Sequence, residues 1–473
     1  MPPEEVKVLD INSSYLGVRT VTLMENAGAA VAKYVLSILK SGGRVAVVCG
    51  KGNNGGDGFV AARYIAASAQ VDVYLVEPEN EIASDISRAN LERARECLKP
   101  AGQFDPGGYD VVVDAMLGVG LQGRPRGPYA KYIRLINQTK RTIVSVDVPS
   151  GWPSDLRVVP SATVTFHAPK VGMTPKNSGK IVVEDIGIPQ EAELYCGPGE
   201  FSLLPRRRTD AHKGDAGRVL VIGGGPYTGA PAFTGMAAMR SGVDLTFVST
   251  PEPSALPVSI YSPNIIVRPL MGDVLAERHV DGLVEFSKGV DVVAIGPGLG
   301  SAPETLDAVR QLVKRIDRPL VIDADAIGAC GAKREVLRGK SGVVTPHGGE
   351  FKKLTGKTLP AEDLDRRIDD VLRAASTLGM TILLKGPVDI VSDGAHVKLN
   401  RVHNDAMTVG GTGDVLTGAV AGFMAQGASP FAAARLGAFT VGLAGNLAFE
   451  EKSYGLLATD VIEKIPLVVR RYF

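Results

Sequence analysis

Apolar residues in the first half of the chain fall into two alternating patterns. Over residues 21–39 they recur at helical spacing, and the chain then enters Val45-Ala46-Val47-Val48, a continuous apolar run of strand length bounded by glycines. After it, helix 59–67, strand 71–76, helix 84–98, strand 111–114, helix 129–136 and strand 142–147 are predicted in turn. Strands of unbroken Val/Ile character between helices imply a parallel sheet covered on both faces. The pattern lapses over residues 184–208, where Pro189, Gly197, Pro198, Gly199 and Pro205 cluster, and a linker is expected there. It restarts with strand 218–222, followed by strands at 243–249, 290–296, 319–323, 342–345 and 381–385. The expectation is an α/β protein of two three-layer α/β domains, residues 1–198 and 201–473, with no internal repeat between them.

Composition narrows the function classes. A chain of 473 residues exceeds the roughly 250–300 that one core supports, in keeping with two domains. With 45% hydrophobic residues, 22% charged residues and a net charge of +1, nothing suits it to nucleic acid as a main partner. The apolar stretch 419–449 is broken by Gln426, Pro430 and Arg435, so buried helices are expected and no membrane span. The first ten residues carry Glu4, Glu5 and Asp10 and lack an apolar run behind a basic start, which predicts a cytoplasmic protein. Cys49, Cys97, Cys196 and Cys330 form no C-x-x-C pair, against both a zinc ribbon and a disulfide framework.

Chemistry enters at the strand ends. Gly50-Lys51-Gly52-Asn53-Asn54-Gly55-Gly56-Asp57-Gly58 lies between a strand and a helix, where backbone N–H groups receive anions. Five glycines with two Asn and an Asp exceed the needs of a turn, and the segment is neither a dinucleotide fingerprint nor a P-loop. Asp114 precedes Gly118-Val119-Gly120-Leu121-Gln122-Gly123-Arg124, and Asp147 opens Asp147-Val148-Pro149-Ser150-Gly151. Ends of parallel strands converge, so Asn54, Asp114, Asp147 and Ser150 are expected to share a crevice, although an Asp at a strand end also serves as a cap.

KGNNGGDGFVAAR, DAMLGVGLQGR, VDVPSG and TFHAPKVGM, in that order, resemble the NAD(P)H-hydrate epimerase domain over the chain up to about residue 190. The resemblance implies a Rossmann-like domain in which Asn53, Asn54, Gly55, Gly56 and Asp57, together with Gly118, Val119, Gly120, Leu121, Gln122, Gly123 and Arg124, cradle the hydrate. It implies a potassium ion at Asn54, Asp114 and Ser150, with Asp147 at the reacting centre. Lys170 either reaches the same pocket or stands solvated beside a turn.

In the second half, Gly410-Gly411-Thr412-Gly413-Asp414 runs into an apolar helix and makes an anion hole at a helix N-terminus with an acid inside it. Phosphoryl transfer to a hydroxyl needs that pairing, N–H groups for the phosphate and a carboxylate for the proton. Gly296-Pro297-Gly298-Leu299-Gly300, Asp323-Ala324-Asp325, Thr345-Pro346-His347-Gly348-Gly349-Glu350 and Lys385-Gly386 stand at other strand ends. His347 taken alone also suits a core histidine, and Glu350 a cap partner.

With His212-Lys213-Gly214-Asp215-Ala216-Gly217-Arg218, these blocks resemble the ADP- or ATP-dependent NAD(P)H-hydrate dehydratases, which have a ribokinase-like fold, from Phe201 onward. The resemblance implies that Ala230, Gly298, His347 and Asp414 contact the hydrate, Asp414 as the base. Lys385, Gly386, Pro387, Val388 and Asp389, with Asn404, Gly410, Gly411, Thr412 and Gly413, would line the nucleotide, and magnesium would accompany it. The implied whole is a metabolite-repair enzyme that epimerises the R and S hydrates of NADH and NADPH and dehydrates the S form with ADP, giving AMP and phosphate. Its partners would be these small molecules, and a homo-oligomer is expected. A small-molecule kinase such as hydroxyethylthiazole kinase uses the same GTGD loop, but the first domain favours the dehydratase. A first domain that only binds or oligomerises is the other reading, against which Asp147 and the ion-site residues stand.

Overall fold

The computed structural model describes residues 1–121 and 123–473, and Gln122, one of the residues expected at the hydrate, lies outside the described residues. The chain divides into two compact units, Met1–Ala192 and Glu193–Phe473, each with its own sheet. Both are α/β, as the hydrophobic pattern requires.

The first unit holds β1 (Arg44–Cys49), β2 (Gln70–Leu75), β3 (Val111–Ala115), β4 (Thr142–Val146), β5 (Ala162–Phe166) and β6 (Lys180–Glu184). All pair in parallel in the order β2-β1-β3-β4-β5-β6, with Val45 of β1 between Val71 and Val111. Helices Thr20–Ile38 and Asn53–Ala66 pack on one face of this sheet, and helix Gly127–Gln138 on the other. The connections leaving β1 and β3 therefore part to opposite faces, which opens a crevice at the carboxyl ends of those strands.

Two local features differ from the expected pattern. The helix expected from residue 59 begins at Asn53, so the Asn/Gly run is its first turns and not a loop. Its glycines are demanded largely by packing: a Cβ on Gly55 would lie 1.9 Å from the carbonyl oxygen of Gly50, and one on Gly58 would lie 2.6 Å from Cβ of Ala115. Strands β5 and β6 escape the Val/Ile signature because β5 alternates Thr with apolar residues, and its buried Thr163 hydroxyl donates to the Ser178 carbonyl (2.7 Å).

The second unit contains β7 (Arg218–Ile222), β8 (Leu245–Pro251), β9 (Ile266–Leu270), β10 (Val292–Ile295), β11 (Leu320–Ile322), β12 (Gly342–Val344), β13 (Thr381–Leu384), β14 (Asp389–Ser392) and β15 (Val397–Asn400). Their order is β15-β14-β13-β12-β11-β10-β7-β8-β9, parallel from β13 to β9, with β14 antiparallel to both neighbours. Helices Gly229–Arg240, Thr412–Ala425, Pro430–Lys452 and Ala458–Tyr472 cover one face, and helices Val280–Ser287, Pro303–Arg315 and Asp325–Ala332 the other. Helix Pro430–Lys452 is long and apolar enough to cross a membrane, yet 78% of its most apolar window is buried in the unit.

The Pro/Gly-rich segment read as linker is in part structural. Cys196 N–H donates to the Leu399 carbonyl of β15 (2.7 Å), and Phe201 stacks on Tyr472 with ring centroids 6.1 Å apart. The Glu200 carboxylate is fully buried and accepts from Arg435 Nη2 (2.9 Å), with Lys398 Nζ 3.9 Å away. These contacts tie the segment to the second unit, and the division at Ala192 falls ahead of the expected Pro198. Removing one partner of a buried ion pair costs about 3–5 kcal/mol. Glu200→Ala is therefore expected to lower the second unit's unfolding free energy by that amount, read as an earlier denaturant midpoint, and leave the first unit's transition in place. A second fragment begun at Phe201 should share the defect, and one begun at Glu193 should not.

Candidate functional sites

In the first unit the crevice at the ends of β1, β3 and β4 gathers the expected residues. Asp114, the fourth residue of β3, is fully buried, and its carboxylate accepts from the Ser145 hydroxyl (2.8 Å), Ser150 N–H (2.9 Å) and the Ser150 hydroxyl. Burial raises its pKa against the opposing pull of those bonds. Leu117 N–H donates to Ser150 Oγ (2.8 Å), which fastens the β3 loop to the β4 loop. A Cβ on Gly118 would sit 3.5 Å from Cβ of Asn54, so the Gly118 backbone runs beside that side chain. Asn54 is buried, and its amide nitrogen has no hydrogen-bond partner among the described residues.

A second group of charges lies beside this one. Asp147 follows β4 in a left-handed backbone conformation (φ 64°), unusual for a residue with a side chain. Its carboxylate pairs with the Lys170 ammonium and lies 3.3 Å from the Thr165 hydroxyl. Lys170 is not solvated: its side chain is 1% exposed, and Nζ also donates to Thr165 Oγ1 (3.0 Å) and the Phe166 carbonyl (3.2 Å). Asp57, one turn into helix Asn53–Ala66, feels the charges of both Asp147 and Lys170. Burial first, then Asp147 and Asp10, push its carboxyl well above the usual range, with Lys170 opposing. A cavity of about 400 Å³ adjoins the β3 loop, lined by Val119 and Leu121 with Pro3, Trp152, Arg157 and Val171 among its walls. That volume suits part of a small-molecule ligand. Arg124, also on that loop, pairs with Asp155 (3.1 Å) at the surface.

In the second unit the parallel strands end on one charged cluster. Lys385, immediately after β13, donates to Asp323 Oδ1 (2.9 Å) and lies 3.8 Å from Glu350. Thr417 of helix Thr412–Ala425 donates to the other Asp323 oxygen (2.7 Å). Burial works against the Lys385 charge, but Asp323 and Glu350 outweigh it and hold the ammonium above its ordinary range. A Cβ on Gly413 would lie 3.4 Å from Lys385 Nζ, which puts this cation against the GTGD loop. Asp414 stands in the first turn of that helix, where burial and then Asp323 raise its carboxyl to about 7, opposed by Lys385 and reinforced by Glu350.

The expected hydrate contacts flank Asp414. The Thr234 hydroxyl lies 3.1 Å from the Ala230 carbonyl and 3.2 Å from the Asp414 carbonyl, and a Cβ on Gly298 would come within 3.2 Å of Cβ of Ala230. His347 is not a core histidine, since its side chain is 61% exposed. It caps helix Gly348–Thr355 by accepting from Gly349 N–H (3.0 Å), and Glu350 completes the cap by accepting from His347 N–H (2.8 Å). Lys385, Gly386, Pro387, Val388 and Asp389 form the turn into β14, where Gly386 N–H donates to Asp389 Oδ1 (3.0 Å). His403 lies 2.9 Å from the Pro387 carbonyl, which joins this turn to the segment that holds Asn404. Asn404 caps residues Asp405–Thr408, and the Thr412 hydroxyl donates to the Met407 carbonyl (2.8 Å) and so shapes the approach to Gly410 and Gly411.

Sequence reasoning gave no role to Asp10, Asp323 or Thr417. The signal for Asp10 is an acid set among residues that fold inward, Val8, Leu9, Asn12 and Ser13 of helix Pro3–Tyr15.

Residues 219–467 match the NAD(P)H-hydrate dehydratase family, and residues 20–172 match the YjeF-related protein N-terminus family. The chain is 45% identical to the bifunctional NAD(P)H-hydrate repair enzyme Nnr of Pyrobaculum aerophilum, over 99% of this chain and 97% of that one. It is 38% identical to the protein of the same name from Methanothermobacter thermautotrophicus, over 99% and 95%. Among solved structures, a ribokinase-like superfamily protein of Enterococcus faecalis aligns with 59% of this chain and 96% of its own, at 26% identity and a TM-score of 0.50.

Proposed function

The chain belongs to the bifunctional NAD(P)H-hydrate repair enzymes, and on that footing we propose which of its groups carry each reaction. The carrying observation is Asp414, a carboxyl raised to about 7 in the first turn of a helix whose glycine loop abuts Lys385. In the second unit Asp414 takes the proton of the hydrate's hydroxyl as that oxygen attacks the terminal phosphorus of the nucleotide. The N–H groups of Gly411, Thr412 and Gly413, with the Lys385 ammonium, hold the phosphate charge. The C–O bond then breaks, phosphate leaves with the former hydroxyl oxygen, the neighbouring carbon gives up a proton to solvent, and the dihydronicotinamide double bond is restored. We assign ADP as donor, on the resemblance of the fused chain to microbial members of the family, and the S hydrate as acceptor. Magnesium would neutralise phosphate charge; no cage of three or more acidic, His or Cys ligands exists among the described residues, which fits an ion that arrives on the nucleotide and borrows one or two carboxylates, Glu350 foremost.

In the first unit Asp147, held by Lys170, is the group at the carbon that inverts. Potassium would be held by Asn54, Asp114 and Ser150, and would supply fixed positive charge to an anionic substrate. The fit rests on Asn54: its buried amide end has no protein partner, and turning the amide over presents an oxygen to a hard cation beside the Asp114 and Ser150 oxygens.

Asp414 must be ionised to act as a base, so nucleotide-dependent dehydration is expected to fall tenfold per pH unit below about 7 and to level off above it. Asp414→Asn should abolish the limb and cut the rate ~100- to 10,000-fold while epimerisation continues. Near-normal dehydration by that variant removes Asp414 from the role. Asp147→Ala, given an epimeric mixture with ADP and magnesium, should consume one epimer fast and then slow to the spontaneous rate of epimerisation, because in-line transfer tolerates little misplacement of the hydroxyl. Chromatography that resolves the two hydrates reads this directly, and equally fast loss of both contradicts it.

A further inference from the structure

Asp323 directly follows β11, the central strand of the nine-stranded sheet. Its backbone is closely held: its N–H donates to the Ile295 carbonyl (3.1 Å), and a Cβ on Gly296 would lie 1.8 Å from its carbonyl oxygen. The chain then turns away through Ala324 at φ 49°, a conformation that few residues with a side chain adopt. From this fixed point the carboxylate reaches two other elements. One oxygen accepts from Lys385 Nζ after β13 (2.9 Å), and the other accepts from Thr417 Oγ1 of helix Thr412–Ala425 (2.7 Å). Asp323 is 2% exposed and Thr417 fully buried, so the junction is largely withdrawn from solvent.

Each arm ends on a group that the phosphoryl transfer uses. Lys385 is anchored by its backbone, whose N–H donates to the Pro346 carbonyl (2.8 Å), but its ammonium rides on a flexible four-carbon stem. Two acids are in its reach, and Asp323 holds it more closely than Glu350 at 3.8 Å. A Cβ on Gly413 would lie 3.4 Å from Nζ, so the held ammonium faces the glycine loop. Thr417 stands three residues after Asp414 in the same helix, and residues at that spacing share a face. A grip on Thr417 therefore sets the rotation of the helix about its axis and, with it, the direction of Asp414. A buried ion pair adds little to stability over apolar side chains of the same volume, so packing alone gives no reason for a charge here.

We propose that Asp323 is the positioning residue of the phosphoryl-transfer centre. Its single carboxylate sets the Lys385 ammonium and, through Thr417, the helix that carries the anion hole and Asp414 at fixed places relative to each other. The proposal rests on the dehydratase reading of the second unit. Asp323 acts through Lys385 and Thr417 and takes no proton itself. Its effect falls on the rate of transfer, because alignment of base, hydroxyl and phosphorus matters most in the transition state, where a misplacement of about 1 Å costs ~100-fold.

The test uses the full-length protein with ADP, magnesium and the accepted epimer, and single-turnover runs with excess enzyme read the slow variants. Asp323→Asn keeps an acceptor for Thr417 and removes the charge that holds Lys385. It should lower kcat ~10- to 100-fold while KM for ADP stays within about threefold of wild type. In a Lys385→Met background the same substitution should cost no more than about threefold further, since a residue that acts through Lys385 has nothing left to place. Thr417→Val should lower kcat by about tenfold, and Thr417→Ser, which keeps the hydroxyl, should recover most of the rate. A folded Asp323→Asn protein within about threefold of wild-type kcat overturns the proposal, as does a loss confined to KM or one that multiplies in full with Lys385→Met. If Asp323→Asn does not fold, the Thr417 pair decides, and wild-type speed in Thr417→Val or no recovery in Thr417→Ser overturns it. These outcomes leave the dehydratase reading standing. Wild type that shows no nucleotide-dependent dehydration overturns that reading and the proposal together.

Discussion

Parallel strands buried on both faces leave polar chemistry only one place to go, the carboxyl ends where the chain turns into the next helix. Each unit of this protein puts its charges there. At those ends water is scarce, so a carboxylate persists only with donors or a cation against it. Asp114 has Ser145 and Ser150, Asp147 has Lys170, and Asp323 has Lys385 and Thr417. Burial raises the proton affinity of Asp114 even against its donors, and it raises that of Asp57 and Asp414 as well, Asp414 to about 7, within the range useful for proton transfer.

The two units apply this constraint differently. In the second, the acid is set at a helix N-terminus beside a glycine loop and a lysine, a pairing of anion hole and base that suits phosphate chemistry. In the first, Asp57 and Asp147 act on each other's charge beside one buried lysine, Lys170, which is paired to Asp147. That arrangement suits movement of protons at a neutral hydroxyl better than movement of a phosphoryl group.

Much of this was legible in the sequence for physical reasons. A fully buried parallel strand must be apolar throughout, so β1, β3, β4 and the central strands of the second sheet announce themselves, and an acid inside a GTGD loop has few structural uses. Less legible were positions where tertiary packing overrides local preference. Asn53-Asn54-Gly55-Gly56 has poor helix propensity, yet it opens a helix because only glycine lets the backbone approach Gly50 so closely. Lys170 could be read either as reaching the pocket or as solvated, because its burial depends on Asp147, which is distant in sequence. Asp10 gave no motif at all. Strand β9, with Arg268, Pro269 and exposed positions, reads as loop because it is a sheet edge, where Pro and charge are tolerated.

The central claim is that one chain renders both hydrates usable, its first unit feeding its second. The most direct measurement is a mass-resolved time course of both NADPH hydrates with wild-type protein, magnesium and ADP or ATP in parallel. The account expects both epimers to vanish at protein-dependent rates, with one phosphoanhydride bond cleaved per NADPH formed, and AMP as the nucleotide product when ADP is the donor. A phosphorylated hydrate that accumulates as the final product, or one epimer left at its spontaneous rate, would contradict it.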